Sequence, residues 1–231
     1  MLLEILMWKI TYPFAKYNGK PGPQEDILSA DTPDNPWFKN SLGLYVLRAP
    51  SQGGVTTPNS KYARCEFREL DGDGNRAAWN FSGKKYHTLT YEGYIGKIPS
   101  VKREVVFGQV HDKDDDVMEL ILQENKFVIR DGATQKQKTL IPDYKLGEVF
   151  KVEITCRKKV VSVQVVYKGE SITHSFRTKM VKGCYFKVGC YQQGLEGNSE
   201  VGIYDTLKVT HYTKPKRCKC CYCKSLNLEI V

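Results

Sequence analysis

Residues 184–194 read CYFKVGCYQQG, and the alternation in this stretch decides how the rest of the chain is read. Successive side chains of a β-strand point to opposite faces, so positions two apart share one. One face takes Cys184, Phe186, Val188 and Cys190, groups suited to a core. The other takes Tyr185, Lys187, Gly189, Tyr191 and Gln193. That face is polar without being the Thr, Glu and Lys mixture of an ordinary solvated strand. A cation, a glycine that opens space, a phenol and an amide form a set that could hold a ligand; the alternative is a sheet face that is polar and nothing more.

Working outward, the chain repeats short strand-like runs about every ten residues with turn signals between them, the pattern of a sandwich or jelly roll. WKITYPFA (8–15) opens the series, and 18–38 reads as a long Pro- and Gly-containing loop around a short ordered piece. NSLGLYVLRAP (40–50) predicts one strand, SQGGVTTPNS (51–60) a turn-rich loop, and KYARCEFREL (61–70) a strand ended by DGDGN. DGDGN resembles the start of a calcium loop, but no Glu stands at the twelfth position, and a surface turn is the better reading. KFVIRDG (126–132) and the run from 149 to 169 predict neighbouring meander strands, and EVGIYDTLKVTHY (200–212) closes the series. The expected fold is all-β, a jelly-roll sandwich of two antiparallel sheets with a concave groove. It occupies residues 1–213 and is followed by a basic tail, 214–231.

The 231 residues carry a formal net charge of +9, which suits a polyanionic partner: nucleic acid, an anionic membrane surface or an acidic polysaccharide. Nothing resembles a base-stacking motif or a recognition helix, so nucleic acid is not expected. No stretch approaches the roughly 20 apolar residues of a membrane span. The opening MLLEILMWKI is interrupted by Glu4 and lacks a basic leader and a cleavage site, so it reads as the first strand rather than a signal peptide. Of the eight cysteines, Cys65, Cys156, Cys184 and Cys190 fall in strand-like segments and are expected in the core or sheets. The other four form C-x-C-C-x-C in the tail, too tight for paired zinc knuckles. Soft-metal binding, lipidation, disulfide linkage and a tail without special chemistry all remain open there.

Two further strands share the feature of the first. In RCEFREL, Arg64, Glu66 and Arg68 alternate with Cys65, Phe67 and Glu69; in GQVHD, Gln109 and His111 share a face. Singly these read as a surface ion-pair ladder and a structural histidine. As neighbours in one sheet they would bring Arg64, Arg68, Gln109, His111, Lys187 and Tyr191 onto one basic surface.

RCEFREL resembles the R-[ST]-E-[LV]-R motif of the alginate lyases of polysaccharide lyase family 7. GQVHD resembles their Q-[IV]-H motif, and YFKVGCYQQ their Y-F-K-A-G-[VI]-Y-N-Q motif. TTPNSKYARCEFREL and WKITYP are similar to the family's approach to the first motif and to its opening strand. The resemblance spans residues 8 to about 212 with the motifs in order. Cys65, Val188, Cys190 and Gln192 depart from it, on positions expected to face away from the groove, and the Cys-rich tail has no counterpart.

The resemblance implies β-elimination on a 1,4-linked polyuronate, without a metal or other cofactor. Arg64 and Gln109 would neutralise the carboxylate beside carbon 5. Tyr191 would act as acid, and as base where proton and leaving group share a side of the ring; His111 is the other candidate base. Glu66 would orient the arginines, and Arg68, Lys187 and Gln193 would hold flanking sugars, with Gly189 leaving room beside Tyr191. Val110, giving Q-V-H, leans towards mannuronate-rich substrate. The implied partner is an acidic polysaccharide, the expected state a monomer, and the expected place of action extracellular or at a cell wall. The alternatives are a glucuronan or other polyuronate lyase on the same scaffold, and a non-catalytic polysaccharide-binding jelly roll.

Overall fold

Alternating burial builds sixteen strands and no helix in the computed structural model, which describes residues 7–16, 22–58 and 60–213. In chain order they are β1 (Trp8–Ala15), β2 (Pro23–Ile27), β3 (Phe38–Ser41), β4 (Leu44–Pro50), β5 (Arg64–Glu69) and β6 (Tyr86–Lys97). Then come β7 (Glu104–His111), β8 (Asp116–Gln123), β9 (Lys126–Asp131), β10 (Gln137–Ile141) and β11 (Phe150–Arg157). The series ends with β12 (Val160–Tyr167), β13 (Glu170–Arg177), β14 (Tyr185–Gln192), β15 (Asn198–Tyr204) and β16 (Lys208–Tyr212). The C-x-C-C-x-C tail and residues 1–6 lie outside the described residues.

The strands form two antiparallel sheets. The first runs β10-β9-β8-β7-β14-β5-β1-β2; the second runs β13-β12-β11-β6-β15-β4-β3, with β16 pairing β6. The long β6 shares one edge between two partners: residues 86–90 pair β16, and 93–97 pair β15. This is the all-β sandwich that the recurring short strand-like runs predict. Among the described residues no helix is long and apolar enough to cross a membrane.

Three expectations need correction. Residues 40–50 are not one strand: Leu42 and Gly43 turn with positive φ, and β3 pairs back on β4. KFVIRDG and VFKVEITC are not neighbours, since β9 lies in the first sheet and β11 in the second. The closing segment is two strands, β15 and β16. DGDGN is the expected turn, with Asp71 Oδ1 accepting the backbone N–H of Asp73 and Asn75.

Between the sheets the apolar faces interlock. Phe67 of β5 packs edge-on to Tyr45 of β4 at 5.5 Å, and Phe107 of β7 lies 5.1 Å from Phe150 of β11. The four cysteines of the described chain are all buried and free, two of them, Cys65 and Cys190, directly opposite each other. One charge is enclosed with them. Glu69, fully buried at the end of β5, accepts hydrogen bonds from the Trp79 indole and the Phe186 backbone N–H, each at 2.8 Å. Its other oxygen meets His211 Nε2 of β16 at 2.8 Å, and His211 Nδ1 meets His87 Nδ1 of β6 at 2.8 Å. His87 Nε2 lies 3.1 Å from the Asn80 carbonyl, which can only accept, so His87 carries its hydrogen there and accepts at Nδ1. His211 therefore turns a donor toward His87 at Nδ1 and faces the Glu69 carboxylate with Nε2. Burial, and then the charge of His211, push the His87 imidazole down to about 4, keeping it neutral.

Candidate active site

β14 lies between β5 and β7, so its polar face is flanked on both sides by the other two polar faces. Lys187 stands opposite Arg68 on one side and Gln109 on the other. Tyr191 stands opposite Arg64, and Tyr185 opposite His111. With neighbouring strands roughly 4.8 Å apart, period-two spacing on three strands is enough to gather these groups. They lie on the face of the first sheet turned away from the second, while Cys65, Phe67, Val188 and Cys190 fill the core.

Glu66 sits at the centre, 1% exposed. Its Oε2 accepts from Lys187 Nζ at 2.7 Å and from Arg64 Nη1 at 3.3 Å. Burial alone would raise the Glu66 carboxyl, but the charges of Lys187 and then Arg64 outweigh it and hold it below the ordinary carboxylate range. Burial and the Arg64 charge in turn lower the Lys187 ammonium, against the pull of Glu66. Glu66 thus orients Arg64 and Lys187, not both arginines. Arg68 instead lies over the Tyr185 ring, its Cζ 3.7 Å from the centroid. Arg64 lies likewise over Tyr191, at 3.8 Å.

Gln109 is fully buried, and among the described residues neither its amide nitrogen nor its oxygen has a hydrogen-bond partner; Arg64 Nε and Arg68 Nε are in the same condition. Buried polar groups are nearly always satisfied, and exceptions mark strain or an absent ligand. His111 Nδ1 donates to the Asp112 carbonyl at 2.6 Å, which places the hydrogen on Nδ1. Its Nε2 is then the nitrogen facing Asp116 Oδ1, 3.6 Å away. The ring stacks on Tyr185 at 5.1 Å. Gln193 lies one residue past β14 and is placed by its backbone N–H, which donates to the Glu104 carbonyl at 3.2 Å.

Seven of the eight expected residues meet on these three strands, with Gln193 at the end of one. The structure adds Tyr185, which backs both Arg68 and His111; Asp116, beside His111; and Ser60, whose Oγ is 2.9 Å from the Tyr191 hydroxyl. The four departures from the motif, Cys65, Val188, Cys190 and Gln192, are all fully buried on the core side.

Gly189 has a role other than the one expected. Its φ is +144°, and a Cβ there would meet the Cys65 carbonyl oxygen at 2.8 Å, Glu66 Cα at 2.9 Å and Leu47 Cδ2 at 3.1 Å. It clears no space on the polar face. It allows the irregular backbone where the β14–β7 register shifts between Val188 and Tyr191, and so sets the direction of Tyr191. Gly189→Ala should destabilise the fold by about 1–3 kcal/mol, read as a lowered denaturant midpoint with unchanged slope. A midpoint equal to wild type would refute this account of the glycine.

The family model described as alginate lyase matches residues 3–215. Among solved structures, the alginate lyase AlgAT5 from polysaccharide lyase family 7 is 31% identical, covering 90% of this chain and 95% of that one, with a TM-score of 0.77. The alginate lyase from Corynebacterium sp. is 30% identical over 90% and 95% of the two chains, with a TM-score of 0.72. The alginate lyase from Klebsiella pneumoniae has a TM-score of 0.79 over 92% and 98%, at 19% identity, a likeness of fold alone. No curated protein matches in sequence.

Proposed function

Since the chain belongs to the alginate lyases of polysaccharide lyase family 7, and is a polysaccharide lyase, we propose that it cleaves alginate by β-elimination without a metal, with a lean to mannuronate. The observation that carries this reading is the pair of unpartnered buried groups, the Gln109 amide and Arg64 Nε, beside Tyr191 and His111. They supply donors to a sugar carboxylate and have no other partner among the described residues.

The carbon 5 proton of a uronate is weakly acidic because the neighbouring carboxylate resists further negative charge. Donors aimed at that carboxylate stabilise the enolate-like intermediate, and their fixed placement in a water-poor site gives them their effect. Arg64 is already held by Glu66 and the Tyr191 ring, so it does not reorganise on binding. Tyr191 then takes the carbon 5 proton of mannuronate as base and returns it to the oxygen on carbon 4 as acid. His111 presents Nε2 as the alternative base for guluronate, with Asp116 competing for that nitrogen. Arg68, Lys187 and Gln193 hold flanking sugars. Val110, behind His111, is fully buried in the core, so its bearing on the sugar acts through packing rather than contact.

The experiment follows ultraviolet absorbance of the unsaturated product on alginate, polymannuronate, polyguluronate and glucuronan, with and without a chelator. Turnover fastest on polymannuronate and unchanged by chelator is expected. No turnover on any polyuronate would overturn the lyase reading; preference for glucuronan would overturn the substrate, and reversible loss in chelator the absence of a metal.

A further inference from the structure

Ser60 stands in the loop before β5, and three hydrogen bonds at its hydroxyl can be given directions. Its Oγ is 3.0 Å from the Tyr62 carbonyl oxygen, receives the Tyr62 N–H at 3.2 Å, and is 2.9 Å from the Tyr191 hydroxyl. A hydroxyl has one hydrogen and two lone pairs. The Tyr62 carbonyl can only accept, so the serine hydrogen points to it. The remaining contact is then the Tyr191 phenol donating to Ser60. Lys102 fixes this loop, its Nζ donating to the Tyr62 hydroxyl at 3.0 Å and lying 4.8 Å from the ring centroid.

We propose that Ser60 is a positioning residue for proton chemistry at Tyr191: it accepts from the phenol, and turns its own hydrogen onto the oxygen when that oxygen is phenolate. This rests on the reading of Tyr191 as base and acid. In that reaction the phenolate takes the proton from carbon 5. The bond from carbon 4 to its oxygen breaks as the double bond between carbons 4 and 5 forms. The same proton passes from Tyr191 to the departing oxygen, and Tyr191 returns to phenolate. Ser60 gains and loses no proton; it exchanges a bond to the Tyr62 carbonyl for a charge-assisted one to the phenolate. Arg64 faces the Tyr191 ring while Ser60 meets its oxygen, so the two stabilise the anion from different directions.

A hydrogen bond to a charged group is worth about 10- to 100-fold in rate. Ser60→Ala should therefore lower kcat by that factor with KM little changed, and Ser60→Thr, which keeps the hydroxyl, should recover most of it. The decisive measurement is a double-mutant cycle: in a Tyr191→Phe background, Ser60→Ala should cause no further loss. Equal losses in both backgrounds would make Ser60 structural and overturn the proposal, as would a Ser60→Ala enzyme with wild-type kcat beside a crippled Tyr191→Phe. If Tyr191→Phe itself kept near wild-type kcat, the proton role of Tyr191 would fall, and this inference with it. Should the alanine variant not fold, Ser60→Cys, close in size with a weaker donor, carries the same comparison.

Discussion

Tyr191→Phe is expected to lower kcat by about 10²- to 10⁴-fold, the usual contribution of a general acid–base group, while leaving KM nearly unchanged. The substitution removes one oxygen. The ring stays beneath the Arg64 guanidinium, whose Cζ lies 3.8 Å from its centroid, so the site keeps its shape and its carboxylate-binding donors. What disappears is proton transfer to and from the sugar, an interaction made in the transition state and therefore seen in kcat. Steady-state kinetics on polymannuronate give the answer. A variant retaining more than roughly a tenth of wild-type kcat, a loss smaller than acid–base groups typically show, would make Tyr191 a binding residue and pass the proton chemistry to His111.

The second large effect lies on the opposite face of the same sheet, on the neighbouring strand β5. Glu69→Ala should reduce stability by about 3–5 kcal/mol, the range for breaking a buried ion pair. It leaves the Trp79 indole N–H and the Phe186 backbone N–H without their acceptor and removes the carboxylate that half-buried His211 faces. For a chain of this size the thermal midpoint should fall by about 6–20 °C. Glu69 does not touch the polar face, so activity well below the new midpoint should survive. Calorimetry on the folded variant tests this, and an unchanged midpoint would show that the enclosed charge contributes nothing.

The contrast between the two faces of β14 made that strand legible from its residues. Cys184, Phe186, Val188 and Cys190 differ so plainly from Tyr185, Lys187 and Tyr191 that period two stands out, and β5 and β7 repeat it. The convergence of Arg64, Glu66, Gln109, His111 and Tyr191 then needed only adjacency of three strands, which the motif order supplied. Pairing at a distance carries no such local mark: nothing in KFVIRDG says that β9 and β11 belong to different sheets. The turn at Leu42 and Gly43 sits inside an apolar run and reads as strand. β10 has little alternation to find, with three exposed residues before two buried ones. Ser60 and Asp116 act from or beside loops, where no period exists, and Asp116 ends an acidic run that reads as a solvated turn. Gly189 could be placed on a face but not given a φ.

The bond between Glu69 and His211 spans 142 positions of the chain. At a synthesis rate of roughly 5–20 residues per second, the carboxylate leaves the peptidyl-transferase centre about 7–28 s before its histidine does. For most of that interval β5 also lacks β14, its neighbour in the finished sheet. The nascent chain therefore carries the strand that will hold Arg64 with one edge unpaired and one acid without its counter-ion. The sheet that makes the site closes only once β14 has joined β5 to β7.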